Sequence, residues 1–401
     1  MQPLPGRKKA MAESKPVRKE FLAFGSPAIE EAEIQEIVAT LRSGWIGTGP
    51  RVGRFEQDFR SYIGSKHALA LNSCTAALHL SMLAAGVGPG DEVITTPLTF
   101  AATANAIVHT GATPVFVDVD RRSQNIDPSM IEAAITPRTR GLLPVHFAGR
   151  PCDMDPIMSL AQRHGLKVIE DAAHAIEAVY HGRHIGTIGD AGCFSFYVTK
   201  NITTGEGGMV TTNRDDWAET IQTHGLHGLS KGAWKRYSDG GFVHYQVLHA
   251  GFKYNMTDMQ AALGMHQLPR IEAWSERRRD IWRQYDAAFA DLPAETPAPE
   301  EPNTRHARHL YTLLLDLPRL RVGRDAVLEE LKKEGIGTGI HYIALHLHPY
   351  YRERFGFEPS SFPNAREISE RTLSLPLSPH LTDQDVQDVI TAVRKVLLAR
   401  D

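Results

Sequence analysis

The sequence predicts an α/β protein, with a mainly parallel central sheet flanked by helices and a smaller C-terminal α/β domain behind it. Three observations predict this. From about residue 68 to 215, short apolar runs alternate with helix-patterned stretches, as strand–helix–strand units do when helices cover both faces of a sheet. A long helical pattern then leads into one strand and two more helices. The length, 401 residues, exceeds what one small core organises and favours two domains. The expected divisions are a flexible N-terminal tail over 1–20, a large domain over 21–270 and a small domain over 271–401.

The elements follow in order. MQPLPGRKKAMAESKPVRKE is basic with no apolar stretch behind it, so it reads as a mobile tail and not a secretory signal. The first helix is expected with Ser26 as cap, Pro27 in its first turn, Ile34, Ile37, Val38 and Leu41 as one apolar face, and Gly44 as its stop. HALAL, DEVITT, TPVFVDV, RGLLPVHF, LKVIED, CFSFYV and GGMVTT read as strands, and TAALHLSMLAAG and DPIMSLAQRHG as helices between them. Ligands of such sheets gather beyond the carboxyl ends of the strands, which assigns the chemistry to the loops after these runs. A helical region from Thr257 to Ala290 carries ERRRD, whose charges read as a solvated face. LPAETPAPEEPN is an exposed connection, and LYTLLLDL a strand. A helix from Arg324 to Glu334 ends at Gly335. The last helix opens with Thr382 and Asp385 in capping-box spacing and keeps helical period at Val386, Val389, Ile390, Val393 and Leu397.

Composition excludes several classes. Hydrophobic content of 42% and charged content of 23% are those of a globular protein, and a net charge of −3 gives no electrostatic reason for nucleic acid or an anionic membrane. No apolar run reaches the roughly 18 residues a membrane span needs. Cys74, Cys152 and Cys193 are odd in number and widely spaced, so they read as reduced thiols of a cytoplasmic protein. His341, His346 and His348 lack a ligand spacing and a nearby acidic or cysteine partner, so no metal is expected. GTGPRVGR follows a helix instead of a strand and fails the context test for a dinucleotide loop.

Four segments could carry chemistry. In LNSCTAALHL a strand meets Ser73, Cys74 and Thr75 where a helix begins; such a turn is either a phosphate site or an ordinary N-cap. LKVIEDAAHA ends its strand with Asp171, placed to pair with a protonated pyridine nitrogen or to cap the next segment, and His174 follows. Phe100, after DEVITT, is a ring that stacks on a ligand or packs in the core. Lys200 leaves CFSFYV at the ligand end of the sheet, with Ser195 in the same run. Imine formation requires a partly neutral amine, which desolvation provides. The four signals meet at one sheet edge.

In this order, SGWIGTGP, EDAAHA, FSFYVTKNITTGEGG, GFKYNMTDMQAALG and GIGTGIHY resemble the DegT/DnrJ/StrS family of pyridoxal-phosphate-dependent sugar aminotransferases, from about FLAFGSPAI to the C-terminal helix. Several look especially like the branch that makes UDP-4-amino-4-deoxy-L-arabinose. The resemblance implies the fold type I, aspartate aminotransferase-like architecture, with pyridoxal phosphate as cofactor and pyridoxamine phosphate as its intermediate form. It implies Lys200 as the Schiff-base lysine, Asp171 as the pyridinium partner and Phe100 as the stacking ring. Ser73, Cys74, Thr75 and Ser195 fall at the phosphate, His174 near the cofactor hydroxyl, and Asn255 in the segment that reaches a neighbouring subunit's phosphate. Cys74 departs from the glycine many relatives carry. Thr48, His341 and Tyr342 lie in loops that line the mouth and are the expected substrate contacts. The implied reaction aminates a nucleotide-linked keto-sugar, at C4, from L-glutamate, in a homodimer with shared sites. A keto-inositol aminotransferase is the alternative. A pyridoxamine-phosphate-dependent sugar dehydratase is disfavoured by Lys200, because such relatives carry histidine there.

Overall fold

The structure, a computed structural model, describes residues 15–230 and 245–400. In chain order the strands of the large domain are β1 (His67–Leu71), β2 (Glu92–Thr95), β3 (Thr113–Phe116), β4 (Thr139–Leu142), β5 (Lys167–Asp171), β6 (Val179–Tyr180), β7 (Arg183–His184), β8 (Ala191–Ser195) and β9 (Gly208–Thr212). Seven of them form the central sheet in the order β1-β9-β8-β5-β4-β2-β3. Strands β3, β2, β4, β5 and β8 run parallel, while β9 lies antiparallel to both β8 and β1. All seven apolar runs of the sequence are strands of this sheet. The carboxyl ends of β5 and β8 therefore point the same way, which brings the residues after them to one edge.

The first helix, α1 (Glu31–Ser43), corrects the sequence reading at its start and its face. It begins after Glu30, not at Ser26 and Pro27, because the Glu33 carboxylate accepts the Glu30 N–H at 2.9 Å and fixes the first turn there. Its buried positions are Glu33 and Thr40, and Glu33 is ion-paired with Arg270. Ile34 and Leu41 are exposed while Ile37 and Val38 are half-buried, so the apolar face is only partly covered by the chain. Helices α2 (Pro50–Ile63), α3 (Cys74–Ala84) and α4 (Ala101–His109) follow.

The long helical region is two helices, Asp258–Gln267 and Ile271–Phe289, joined by a single 3₁₀ turn containing Pro269. The second bridges the domains. Ile271 and Trp274 enter the core of the large domain, and Ile281, Trp282, Tyr285 and Phe289 that of the small one. The expected boundary at 270/271 thus falls at the head of a shared helix. The ERRRD run is not uniformly solvated either, since Arg278 is 1% exposed and ion-paired with Glu177. The bridging helix turns this side toward the large domain, which overrides the charge pattern.

The small domain contains the antiparallel sheet β10-β12-β13, made of β10 (Ala294–Glu295), β12 (Tyr311–Leu315) and β13 (Thr372–Leu375); β11 (Thr304–Arg305) pairs instead with β6. Helices Arg324–Lys333 and Asp383–Leu398 pack on it, the last with the Thr382–Asp385 capping box in place. Of the expected tail, residues 1–14 lie outside the described residues, whereas 15–20 belong to this domain. The Val17 N–H donates to the Glu334 carboxylate at 2.9 Å, and Arg18 pairs with Asp385 at 2.6 Å and Asp388 at 2.7 Å. Among the described residues no helix is long and apolar enough to cross a membrane, and all three cysteines are free.

Candidate active site

A cavity of about 420 Å³ opens at the carboxyl edge of the sheet, a size that suits a cofactor with a small substrate. Its floor is the turn between β1 and α3. The Ser73 hydroxyl oxygen accepts the Ala76 N–H at 3.1 Å, and the helical ladder starts with Ala77 N–H donating to Ser73 O. The amides of Cys74 and Thr75 precede that ladder, where a helix N-terminus attracts an anion. The turn is thus both a cap and an anion cradle. Gly208 of β9 lies against it so closely that a Cβ would sit 2.4 Å from the Ser73 carbonyl carbon and 2.5 Å from the Cys74 nitrogen. Cys74 itself has no positive φ, so its Cβ costs no backbone strain, and burial pushes its thiol well up, keeping it neutral.

Two adjacent carboxylates end β5 and face opposite ways, as successive strand residues must. Glu170 accepts the N–H groups of Gly186 at 2.9 Å, Ile188 at 2.8 Å and Gly189 at 2.7 Å, and meets His146 at 3.2 Å. Asp171 faces the cavity. It accepts the Thr103 hydroxyl at 2.8 Å and the Ala173 N–H at 3.2 Å. Burial still pushes its carboxyl above the ordinary range, with Thr103 and Ala173 opposing. Lys200 acts on it from across the cavity, but no cation is paired with it directly among the described residues, and a protonated ring nitrogen would fill that place.

Lys200 follows β8 on a tight turn, its N–H donating to Tyr197 O at 2.9 Å. It faces the cavity but is otherwise surrounded by protein. That burial lowers its ammonium to about 8, with Cys74 and Asp171 pulling the other way. The neighbouring Asn201 is held at three points: it donates to Glu177 at 2.7 Å and to Ala307 O at 3.2 Å, and meets His309 at 2.9 Å. The turn that presents the amine is therefore rigid.

His174 accepts the Ala148 N–H on Nδ1 at 3.2 Å, so its proton sits on Nε2, which meets the Tyr342 hydroxyl at 3.1 Å. Burial holds His174 well below its usual range, hence neutral, and leaves the Tyr342 hydroxyl hydrogen free for a ligand. His341 bonds Ser374 at 2.8 Å, and burial lowers it to about 4. Phe100 is exposed, with its ring centroid 6.1 Å from that of Tyr342. The Ser195 hydroxyl oxygen accepts the Tyr197 N–H at 3.3 Å, which frees its own hydrogen.

Ten of the twelve expected site residues thus line one cavity. Thr48 and Asn255 do not. They are bonded to each other beside a second cavity of about 170 Å³, and the Asn255 side-chain oxygen is buried without a partner among the described residues. Sequence reasoning missed Thr103, although its position three residues after Phe100, on the first turn of α4, places both on one helix face. It also missed Tyr197, Thr199 and Glu206, which complete the wall. An anion cradle, an exposed ring, a carboxylate with no directly paired cation among the described residues and a partly neutral lysine fit pyridoxal phosphate.

Comparison with known proteins agrees. Residues 27–394 match the DegT/DnrJ/EryC1/StrS aminotransferase family. The spore coat polysaccharide biosynthesis protein SpsC of Bacillus subtilis is 52% identical over 385 residues, covering 96% of this chain and 99% of SpsC. Spr1654 from Streptococcus pneumoniae, a proposed sugar aminotransferase, superposes in its PMP form with a TM-score of 0.88 at 35% identity, over 95% of this chain and 100% of its own, and has also been solved in a PLP form. Helicobacter pylori PseC, an aminotransferase involved in the biosynthesis of pseudoaminic acid, gives a TM-score of 0.87 at 29% identity, over 95% of this chain and 100% of its own. A match that runs from the first helix to the last leaves one conclusion: the chain belongs to the DegT/DnrJ/EryC1/StrS aminotransferase family and is an enzyme of that class.

Proposed function

We propose that the protein is a pyridoxal-phosphate-dependent sugar aminotransferase that moves the amino group of L-glutamate onto a nucleotide-linked keto-sugar at C4. When bound, pyridoxal phosphate supplies an aldehyde that amines attack and a ring that accepts an electron pair. The single observation that carries the reading is the Lys200 amine, lowered to about 8 by burial and set in the same cavity as Asp171. At pH 7.5 about a quarter of such an amine is neutral, against about a thousandth for an ordinary lysine. Lys200 Nζ would hold the aldehyde at rest, then carry the proton released by the donor's α-carbon. Asp171 would keep positive charge on a ring nitrogen, and the Cys74 and Thr75 amides with Ser195 would hold the phosphate. Phe100 would cover one ring face, Tyr342, oriented by His174, would donate to the ring hydroxyl, and neutral His341 would face the sugar. The printed roles of SpsC and PseC, in polysaccharide and pseudoaminic acid synthesis, support a sugar acceptor.

The test is a reverse-reaction screen in which nucleotide-linked amino-sugars are offered with 2-oxoglutarate and glutamate is measured. Glutamate from a 4-amino-sugar nucleotide is the expected result. Glutamate from aminated inositols alone would move the assignment to the keto-inositol alternative.

The same reading makes the enzyme a homodimer in which Asn255, hydrogen-bonded to Thr48, reaches the partner's phosphate end. Exposed Trp45, whose ring N–H donates to Thr48 O, and exposed Ile46 next to it support it, since apolar side chains of this size suit a covered face. Mixing Lys200→Ala with Asn255→Ala subunits should restore about a quarter of wild-type activity through dimers with one intact site. Two variants that stay as inactive together as apart would exclude shared sites.

A further inference from the structure

Between the two arms of the site stands a histidine that the reaction above leaves without a task. His309, two residues ahead of β12, is 7% exposed. Its ring centroid lies 4.4 Å from that of His174, with the planes tilted by 41°. Its Nδ1 meets Asn201 Oδ1 at 2.9 Å, and Asn201 directly follows Lys200. The backbone nearby holds both rings. Ala148 donates its N–H to His174 Nδ1 at 3.2 Å and accepts the His309 N–H on its carbonyl oxygen at 3.0 Å. Ala148 and Arg308 are both left-handed, with φ of 55° and 47°, a region that residues with a Cβ seldom enter. Such backbone persists only where its surroundings over-determine it.

The partners of the two rings fix their hydrogens. Asn201 Nδ2 donates to the Ala307 carbonyl at 3.2 Å and to Glu177 at 2.7 Å, which puts the amide nitrogen on that side and Oδ1 toward His309. An amide oxygen only accepts, so His309 donates from Nδ1 and keeps a lone pair on Nε2. His174 is the reverse, accepting on Nδ1 and meeting Tyr342 through Nε2. Burial holds both rings well below the usual histidine range, with the Lys200 charge adding to it, so both are neutral. A ring that served packing alone would need neither the bond to Asn201 nor a single tautomer.

We infer that His309 is a positioning residue that sets the two arms of the site against each other: through Asn201 it fixes the turn that carries the Lys200 amine, and through its contact with His174 it steadies the ring that aims the Tyr342 hydroxyl. The inference rests on the transaminase reading above for what Lys200 and Tyr342 do, and adds the group that registers one to the other.

Two variants separate the hydrogen bond from the ring. His309→Phe keeps a ring against His174 and removes the donor; His309→Asn keeps a donor near the place of Nδ1 and removes the ring. In His309→Phe, cofactor-free enzyme should capture pyridoxal phosphate about tenfold more slowly, and kcat should fall about 30-fold with the glutamate KM changed less than about threefold. His309→Asn should restore the capture rate to within about threefold while kcat stays about tenfold low. Visible circular dichroism of the bound cofactor should change in both variants, because it reports how the ring is held. Neutron diffraction from deuterium-exchanged crystals of the unaltered holoenzyme should show deuterium on His309 Nδ1 and on His174 Nε2. A lower melting temperature with unchanged capture rate, dichroism and kcat would make His309 structural and overturn the inference, as would deuterium on His309 Nε2 alone. If His309→Phe does not fold, the kcat of His309→Asn decides the arm through His174 and the neutron map the arm through Asn201. Should no amino acid support transamination, the function proposed above fails, while capture, dichroism and the neutron map still decide the role of His309.

Discussion

Glu170 and Asp171 are consecutive on one strand, both carboxylates and both buried, yet they differ in kind. Glu170 looks into the protein and receives three backbone N–H groups and a histidine. Burial works to raise it, but His146 and the amides hold it below the ordinary carboxylate range. Asp171 looks into the cavity with two donors, and burial pushes it up. The first is saturated by fixed groups and serves the fold. The second retains capacity toward a space a ligand can fill, which is where chemistry is found.

The contrast can be broken from its catalytic end first. Lys200→Ala should lower kcat by about 10⁴-fold while the protein still takes up cofactor, as absorbance and dialysis would show. Next come the two carboxylates. Asp171→Asn should cost about 10²- to 10³-fold in kcat with the melting temperature nearly unchanged. Glu170→Gln should leave activity per folded molecule intact and cost about 3 kcal/mol of stability in a urea melt, because an NH₂ group would face backbone donors. The opposite pattern would dissolve the distinction.

Smaller effects sharpen it. The Lys200 ammonium is lowered to about 8, and only its neutral form attacks an aldehyde. The rate at which cofactor-free enzyme captures pyridoxal phosphate should therefore rise about tenfold between pH 7 and 9 and level off above that. A rise continuing toward pH 10.5 would mean an ordinary, solvated lysine. Thr103→Val removes one of the two donors of Asp171 and should reduce kcat about threefold without a change in donor KM.

The sheet was legible because its strands are short apolar runs with turn residues between them, and all seven lie where the pattern predicts. Lys200 and Asp171 were legible for the same reason: strand ends locate a ligand edge before any side chain is placed. What escaped depends on packing between distant segments. Arg278 looked solvated because charge pattern reports a helix's exposed side only when nothing covers the other, and Glu177 lies 101 residues away in sequence. The start of α1 was misread because Glu30 and Glu33 cap it together, whereas Ser26 only resembles a cap. Thr103 escaped because its value lies in what it touches.

The anchoring of Arg18 to Asp385 and Asp388 has a consequence for how the protein is made. During synthesis the parallel sheet can assemble as soon as β9 has left the ribosome, but the C-terminal half of the molecule must wait for its final helix before residues near the start of the chain find their counterparts. The segment carrying Ser26 is tethered through that late event. The lysine-bearing turn is thus built early, and the wall facing it is finished only once the helix Asp383–Leu398 has been made.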